Sequence, residues 1–201
     1  MESDNPVAAA PGGARDRLLG AADRLFYRRG IRAVGVNEIV VSAGVAKTSL
    51  YLHFASKDDL VAMYLAGRTS SYINQWASVL AGSSELDPHA RIDLIFDVLG
   101  LFVRSDGYRG CPFVNAAAEL PDTSHAGYAA IVGYRRYVRE VLFGSVTREA
   151  SVPEPDAMAA LLQVLYDGAL AGSVIEGNDA PVQRARRIAH VVLPAAATAE
   201  V

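Results

Sequence analysis

The sequence predicts an all-α protein, and three observations carry that prediction. Apolar residues recur at three- and four-residue spacing along most of the chain, and strict alternation is hard to find anywhere. The apolar fraction is 51%, much of it alanine, which favours packed helices. The nine Pro and seventeen Gly fall at helix ends and at the amino terminus. With 201 residues the chain is long enough for one compact domain and a small one. The segments read as an unstructured arm over 1–14, a three-helix head over 15–57 and a helical body over 58–201, with about nine helices in all.

Taken in order, Met1 to Ala14 contains Pro6, Pro11 and the Gly12-Gly13 pair, the composition of a mobile arm. Arg15 to Arg29 is amphipathic through Leu18, Ala21, Ala22, Leu25 and Phe26, and Gly30 ends it. Arg15 and Arg17 at its start either reach a phosphate or minor groove or are simply solvated. Val36 to Lys57 reads as two short helices around a tight turn. Ile39, Val40 and Ala43 face inward, Gly44 reverses the chain, and Leu50 and Phe54 bury one side of the second helix. Ser56, with Asp59 three residues on, caps a long helix from Lys57 to about Leu80, whose apolar side is Val61, Tyr64, Leu65, Tyr72, Ile73, Trp76 and Leu80. Gly67 in its middle marks a close crossing or a bend.

After the break at Gly82-Ser83-Ser84, a helix over Asp87 to Arg104 turns Ile92, Ile95, Phe96, Leu99 and Phe102 inward. Ser105 to Gly110 is a loop, and Pro112 opens a short helix to about Leu120. An amphipathic helix from His125 or Ala126 to about Ala150 carries Ile131, Tyr134, Val138, Val141 and Leu142 inward and Arg135, Arg136 and Arg139 on a solvated face. The last two helices, Pro155 to Ile175 and Pro181 to Val192, are each opened by proline. Met158, Leu161, Leu162, Leu165, Tyr166, Ala169, Leu170 and Ser173 form a stripe too wide for one neighbour, and Gly168, Ala171 and Gly172 permit close helix approach. That hairpin either packs within the chain or buries its surplus face on a second copy as a four-helix bundle.

The chemistry concentrates at the front of the chain. Lys47, Thr48 and Tyr51 lie on a different arc from Leu50 and Phe54, and a helix carrying such donors suits the DNA major groove. Lys57 sits against the macrodipole at the first turn of its helix, which makes sense if it shares an anion with the free N–H groups there. Residues 15–57 hold eight basic side chains against three acidic ones, whereas the whole chain has net charge −3. The only two lysines, Lys47 and Lys57, both fall in that basic stretch, as a phosphate-facing surface requires.

Other classes are disfavoured. The single Cys111 forms no intrachain disulfide, and His53, His89, His125 and His190 show no metal-ligand spacing, so no metal or cofactor is expected. The amino terminus lacks a basic n-region, and no uninterrupted apolar run approaches the length of a membrane span; a cytoplasmic protein is expected.

The segment GIRAVGVNEIVVSAGVAKTSLYLHFASKDDL resembles the DNA-binding part of the TetR family of transcriptional regulators. Gly30, Ile39, Ala43, Gly44, Val45, Lys47, Leu50, Tyr51, His53, Phe54, Ser56, Lys57 and Leu60 carry the likeness. Two positions depart from it: Val34 and Gly35 stand where the family has Ser or Thr, and Ala46 where it has Ser. Each lost oxygen cap costs up to about 1 kcal/mol, and Ala46 also removes a possible phosphate contact.

The resemblance implies a homodimeric regulator, without enzymatic activity, that releases a palindromic operator when a small molecule moves the helix starting at Lys57. On double-stranded DNA, Lys47 and Thr48 are expected at base edges, Asn37 is a further candidate there, and Tyr51, His53 and Lys57 are expected at phosphates. His53 reads equally as a structural histidine. For the small-molecule pocket the expected residues are Trp76, Phe102, Cys111, Phe113, Asn115, Tyr128 and Tyr166.

Cys111 precedes Pro112 at a helix start and lies two residues from Arg109, both of which lower a thiol pKa. Its neighbourhood, RGCPFVNAAAEL, resembles one in TetR members that sense electrophiles through a cysteine; the competing reading is an inert buried thiol. A cysteine-dependent enzyme and a ligand-binding module that has lost its DNA are the rival classes, and the basic head argues against the second.

Overall fold

The computed structural model describes residues 12–83, 85–149 and 152–194. Most of the expected arm, the Ala150 end of the seventh helix and the chain's last residues lie outside these ranges. The described residues hold α-helices and no strand. In the head they are α1 (Ala14–Arg29), α2 (Val36–Ala43) and α3 (Lys47–His53). The body contains α4 (Lys57–Ala81), α5 (Pro88–Val103), α6 (Pro112–Glu119), α7 (Tyr128–Tyr137), α8 (Gly144–Glu149), α9 (Pro155–Glu176) and α10 (Ala180–Val192). A π-helical segment (Val138–Phe143) joins α7 to α8 without interruption.

Caps fix several of the boundaries. Ser56 accepts from the Asp59 N–H at 3.0 Å, and the Asp59 carboxylate accepts in turn from Ala55 N–H at 3.2 Å. Asp87 caps α5 through Ala90 N–H, with Pro88 next to it. At α2, where position 35 has no hydroxyl, only the reciprocal half of a capping box forms: Glu38 accepts from Gly35 N–H at 3.2 Å.

The head core is Leu18, Ala21, Ala22, Phe26, Ile39, Val40, Ala43, Leu50 and Phe54, all buried. Helix α4 packs on α1 at one end and on α7 at the other, so it is shared by head and body. In the body, α5 packs on α10 and α9, and α9 packs on α10 and the π segment. Gly172 lets that last pair of helices close, since a Cβ there would lie 3.0 Å from Pro181. Beside it, His190 bonds Asp93 at 2.6 Å and His89 at 2.9 Å, while Arg186 pairs with both Asp93 and Asp97, fastening α10 to α5.

Four expectations change. Gly67 is exposed with open space where its Cβ would be, so of the two readings, crossing or bend, the close crossing is ruled out. The seventh helix starts at Tyr128, and its π segment puts an extra residue into one turn. That turns Val141 outward, 45% exposed, and brings Phe143 fully inside. Arg135 is not merely solvated: it pairs with Asp167 at 2.5 Å, and its carbonyl accepts from Gln163 at 2.7 Å. Helix α9 is long and apolar enough by length and composition to cross a membrane, although Gln163 and Asp167 interrupt it. Both polar groups are spent on α7, which leaves an apolar stripe along the outside of α9.

Candidate nucleic-acid interface and effector cavity

The turn between α2 and α3 is a Schellman motif. Gly44 adopts φ 61° and ψ 41°, Val45 N–H donates to Val40 O and Gly44 N–H to Val41 O, each at 3.1 Å. Arg17 adds a bond to Ala43 O at 3.3 Å, and Arg15 lies over the Phe54 ring, so both arginines serve the head's own packing. With Leu50 and Phe54 anchored inside, α3 is fixed in rotation and leaves Lys47, Thr48, Tyr51 and His53 exposed together. Asn37 is exposed at the start of α2. His53 touches only the edge of the Phe54 ring and is not a core histidine.

Lys57 is placed differently from the expected free cation. Its Nζ donates to Ile31 O at 2.7 Å and lies over the Phe26 ring, closing the loop between α1 and α2. Two of its three N–H groups remain for an anion. Sequence reasoning missed Leu52, which is 82% exposed one turn after Thr48; an apolar residue on a helix is assigned inward by default.

Within the body lies a cavity of about 470 Å³, counting its mouth, lined by Tyr72, Gln75, Trp76, Val79, Val98, Leu99, Phe102, Cys111, Pro112, Tyr134, Tyr166 and Leu170. Four expected residues are there: Trp76, Phe102, Cys111 and Tyr166. Phe113 lies behind the wall, its ring stacked on Tyr134 at 4.3 Å. Tyr128 does not line it, and Asn115 lines a separate crevice between head and body, its amide donating to Arg109 O at 2.8 Å. Tyr72 and Tyr134 pass for core in the helical pattern; only the convergence of α4, α5, α7 and α9 makes them a wall.

Cys111 departs from expectation. Burial pushes its thiol up to about 11, outweighing the backbone N–H groups of Val114 and Phe113 that point at it. Arg109, expected to help, turns its guanidinium to Arg28 O instead. A buried thiol raised in this way is a poor nucleophile near neutrality, which weighs against a reactive sensor.

Between the two sites runs a seam in which residues 109–119 supply several polar contacts to the head. Tyr27 hydroxyl donates to Gly110 O at 3.1 Å and accepts from Arg109 N–H at 3.0 Å. Glu119, at the far end of α6, accepts from Arg32 N–H at 2.8 Å. Its carboxylate stands where a Cβ on Gly30, at φ 92°, would lie only 2.9 Å away. His125 accepts from Gly127 N–H through Nδ1, so its Nε2–H faces Asp58 of α4, 3.6 Å away. On the other side of the seam, Arg68 of α4 grips Asp23 of α1 with two bonds, of 2.5 and 2.9 Å.

A helix-turn-helix head with exposed donors is joined to a helical body that encloses an aromatic cavity, the plan of a DNA-binding regulator. Residues 18–63 match the family model for bacterial regulatory proteins of the tetR family. The whole fold is similar to SCO4454, a TetR-family transcriptional regulator from Streptomyces coelicolor, with TM-score 0.80 and 31% identity over 90% of this chain and 94% of that one. The chain belongs to the TetR family of transcriptional regulators.

It is also 36% identical over 83 residues to the HTH-type transcriptional repressor KstR2 of Rhodococcus jostii, covering 41% of this chain and 40% of that protein. Over 64 residues it is 36% identical to the HTH-type transcriptional regulator LmrA of Bacillus subtilis, covering 32% of this chain and 34% of that one. The matched stretches thus span well under half of these two curated relatives.

Proposed function

We propose that the protein is a ligand-responsive repressor, acting in the cytoplasm, that holds a near-palindromic operator as a homodimer and lets go when a small molecule fills the body cavity. The observation that carries this reading is the placement of α6. Its first residue, Pro112, and the preceding Cys111 border the cavity, and its last, Glu119, holds the Gly30–Arg32 loop of the head. Ile31 in that loop receives Lys57, the first residue of α4. A ligand that displaces the start of α6 therefore acts on the orientation of α3 through two hydrogen bonds and one helix.

On DNA, Lys47 and Thr48 read base edges, Asn37 is a candidate for a further one, and Tyr51, His53 and the two remaining donors of Lys57 bind phosphates. Leu52 suits a thymine methyl. For dimerisation, α9 presents Leu161, Val164, Gly168, Ala171 and Ile175 outward, and α10 adds Ile188 and Val191. This stripe is the surplus face that a second copy covers. Two recognition helices then fall about 34–36 Å apart or a multiple of that.

The test is a mobility-shift titration with the duplex flanking the protein's own gene, at low and moderate salt. A retarded complex of two protomers per duplex, weakening steeply with salt, is expected. A monomer that ignores every duplex overturns the proposal.

A further inference from the structure

We propose that the cavity takes a small, uncharged, planar aromatic molecule carrying one hydrogen-bond acceptor, such as a ketone oxygen, a statement that rests on the effector-cavity reading above. Three features of the walls carry it.

The first is shape. Tyr72 meets Phe102 edge-on at 84° and 5.8 Å and lies tilted at 5.7 Å from Tyr134, while Phe102 meets Tyr108 at 83°. With Trp76 and Tyr166 also in the lining, the aromatic part of the wall offers ring faces and ring edges at near right angles, which suits a flat ring better than a flexible chain.

The second is the absence of charge from the lining. It contains no Asp, Glu, Lys, Arg or His. The guanidinium of Arg68 touches the Tyr72 hydroxyl at 3.2 Å but is already neutralised by Asp23. A carboxylate or ammonium entering here loses its hydration and gains no counter-charge.

The third is the polar handle. The Tyr134 and Tyr166 hydroxyls stand 3.4 Å apart, a long bond in which one donates to the other. The second hydroxyl proton has no acceptor among the described residues, and both phenols stay protonated because burial raises them. An acceptor on the ligand satisfies that proton. Exposed Gln75 adds an amide to the lining and Cys111 a buried thiol, neither of them charged.

Trp76 lines this cavity and is the only tryptophan of the chain, so its emission reports directly on occupancy. The experiment is calorimetric titration of the full protein, with Trp76 emission read alongside, using 2-acetylnaphthalene, 2-naphthoate and 2-decanone. The aromatic ketone is expected to bind and to alter Trp76 emission, with the carboxylate and the alkyl ketone at least roughly tenfold weaker. Tyr134→Phe and Tyr166→Phe together should weaken the aromatic ketone roughly three- to tenfold while leaving plain naphthalene unchanged. If 2-naphthoate or 2-decanone binds as well as the aromatic ketone, the ligand class is overturned and the cavity stands as a binding site. If the ketone is indifferent to both Phe substitutions, the phenol anchor is overturned. If none of the three disturbs Trp76, the cavity reading falls with the proposal.

Discussion

The head and the body solve opposite problems with the same kind of element. The head is three short helices whose working residues point away from a small core: Lys47, Thr48, Tyr51 and His53 are exposed because Leu50 and Phe54 are not. The body encloses its candidate site, and Tyr134 and Tyr166 line a cavity because helices distant in sequence leave a gap between them. An outward-facing site depends on one helix being fixed in rotation. An enclosed one depends on where several helices stop approaching one another, and a small shift of any wall changes it.

The largest expected effect tests whether the body makes the head work. Val164→Asp places a charge in the outer stripe of α9, where Val164 is 63% exposed and its removal disturbs little packing. It should give a monomer in sedimentation and weaken operator binding by about 10²–10⁴, because the second head no longer benefits from the first. A dimer that survives with full affinity moves the interface elsewhere.

Next comes Cys111, which separates a buried site from a reactive one. A thiol raised from 9.0 to about 11 presents roughly a hundredfold less thiolate near neutrality, so alkylation of the native protein should be slower than that of a free thiol by about that factor or more. The linkage has a definite sign. An acid whose folded pKa is raised favours the fold below its unfolded pKa, and that contribution is lost as pH rises through the window up to about 11. Wild type should therefore lose stability above about pH 9 faster than Cys111→Ser does. Rapid labelling at neutral pH would contradict the burial argument.

Within the head, the two lysines should part company. Lys47→Ala should cost about 1–3 kcal/mol on the preferred operator and relax base preference, read from a selection on randomised duplexes. Lys57→Ala should lower the salt slope by about one unit for each phosphate it would otherwise neutralise, with little change in preference. It should also reduce thermal stability, since its bond to Ile31 O closes the head loop. An unchanged melting temperature would show that this bond contributes little.

A smaller effect sharpens the link between the regions. Glu119→Gln keeps the shape of the latch and removes its charge, and should alter the difference in operator affinity with and without cavity ligand by about 0.5–2 kcal/mol. Equal responses in both proteins would remove α6 from the route.

The smallest effect is on Asp93. Burial pushes its carboxyl up, but hydrogen bonds from Arg186 and His190 outweigh it and hold it below the ordinary carboxylate range. A depressed carboxylate stabilises the fold above its unfolded pKa, about 3.9, and loses that contribution as pH falls through the folded value. Asp93→Asn should flatten the acid limb of the stability curve by tenths of a kcal/mol, because the pair is partly solvated.

Much of the head was legible from the order of its residues. Gly44 announced the turn, Ser56 and Asp59 announced the start of α4, and the i, i+4 pair of Leu50 and Phe54 left only one arc for donors. These are interactions between residues a few positions apart, and their geometry follows from the helix itself. The same local logic misplaced Val141, because nothing in the helical pattern signals the extra residue of a π turn. It also read Lys57 as a wholly free cation, whereas one of its N–H groups bonds the Ile31 carbonyl.

By itself, then, the sequence determined the helices, most of their caps, the inward stripes and the basic recognition surface, since local periodicity and backbone hydrogen bonding are written in neighbouring residues. Tertiary structure alone decided which aromatics line a cavity and which merely pack, that Cys111 is neutral rather than activated, and that Glu119 touches the head. Those outcomes depend on desolvation and on distances between residues far apart in the chain, and both come into being only when the helices are packed.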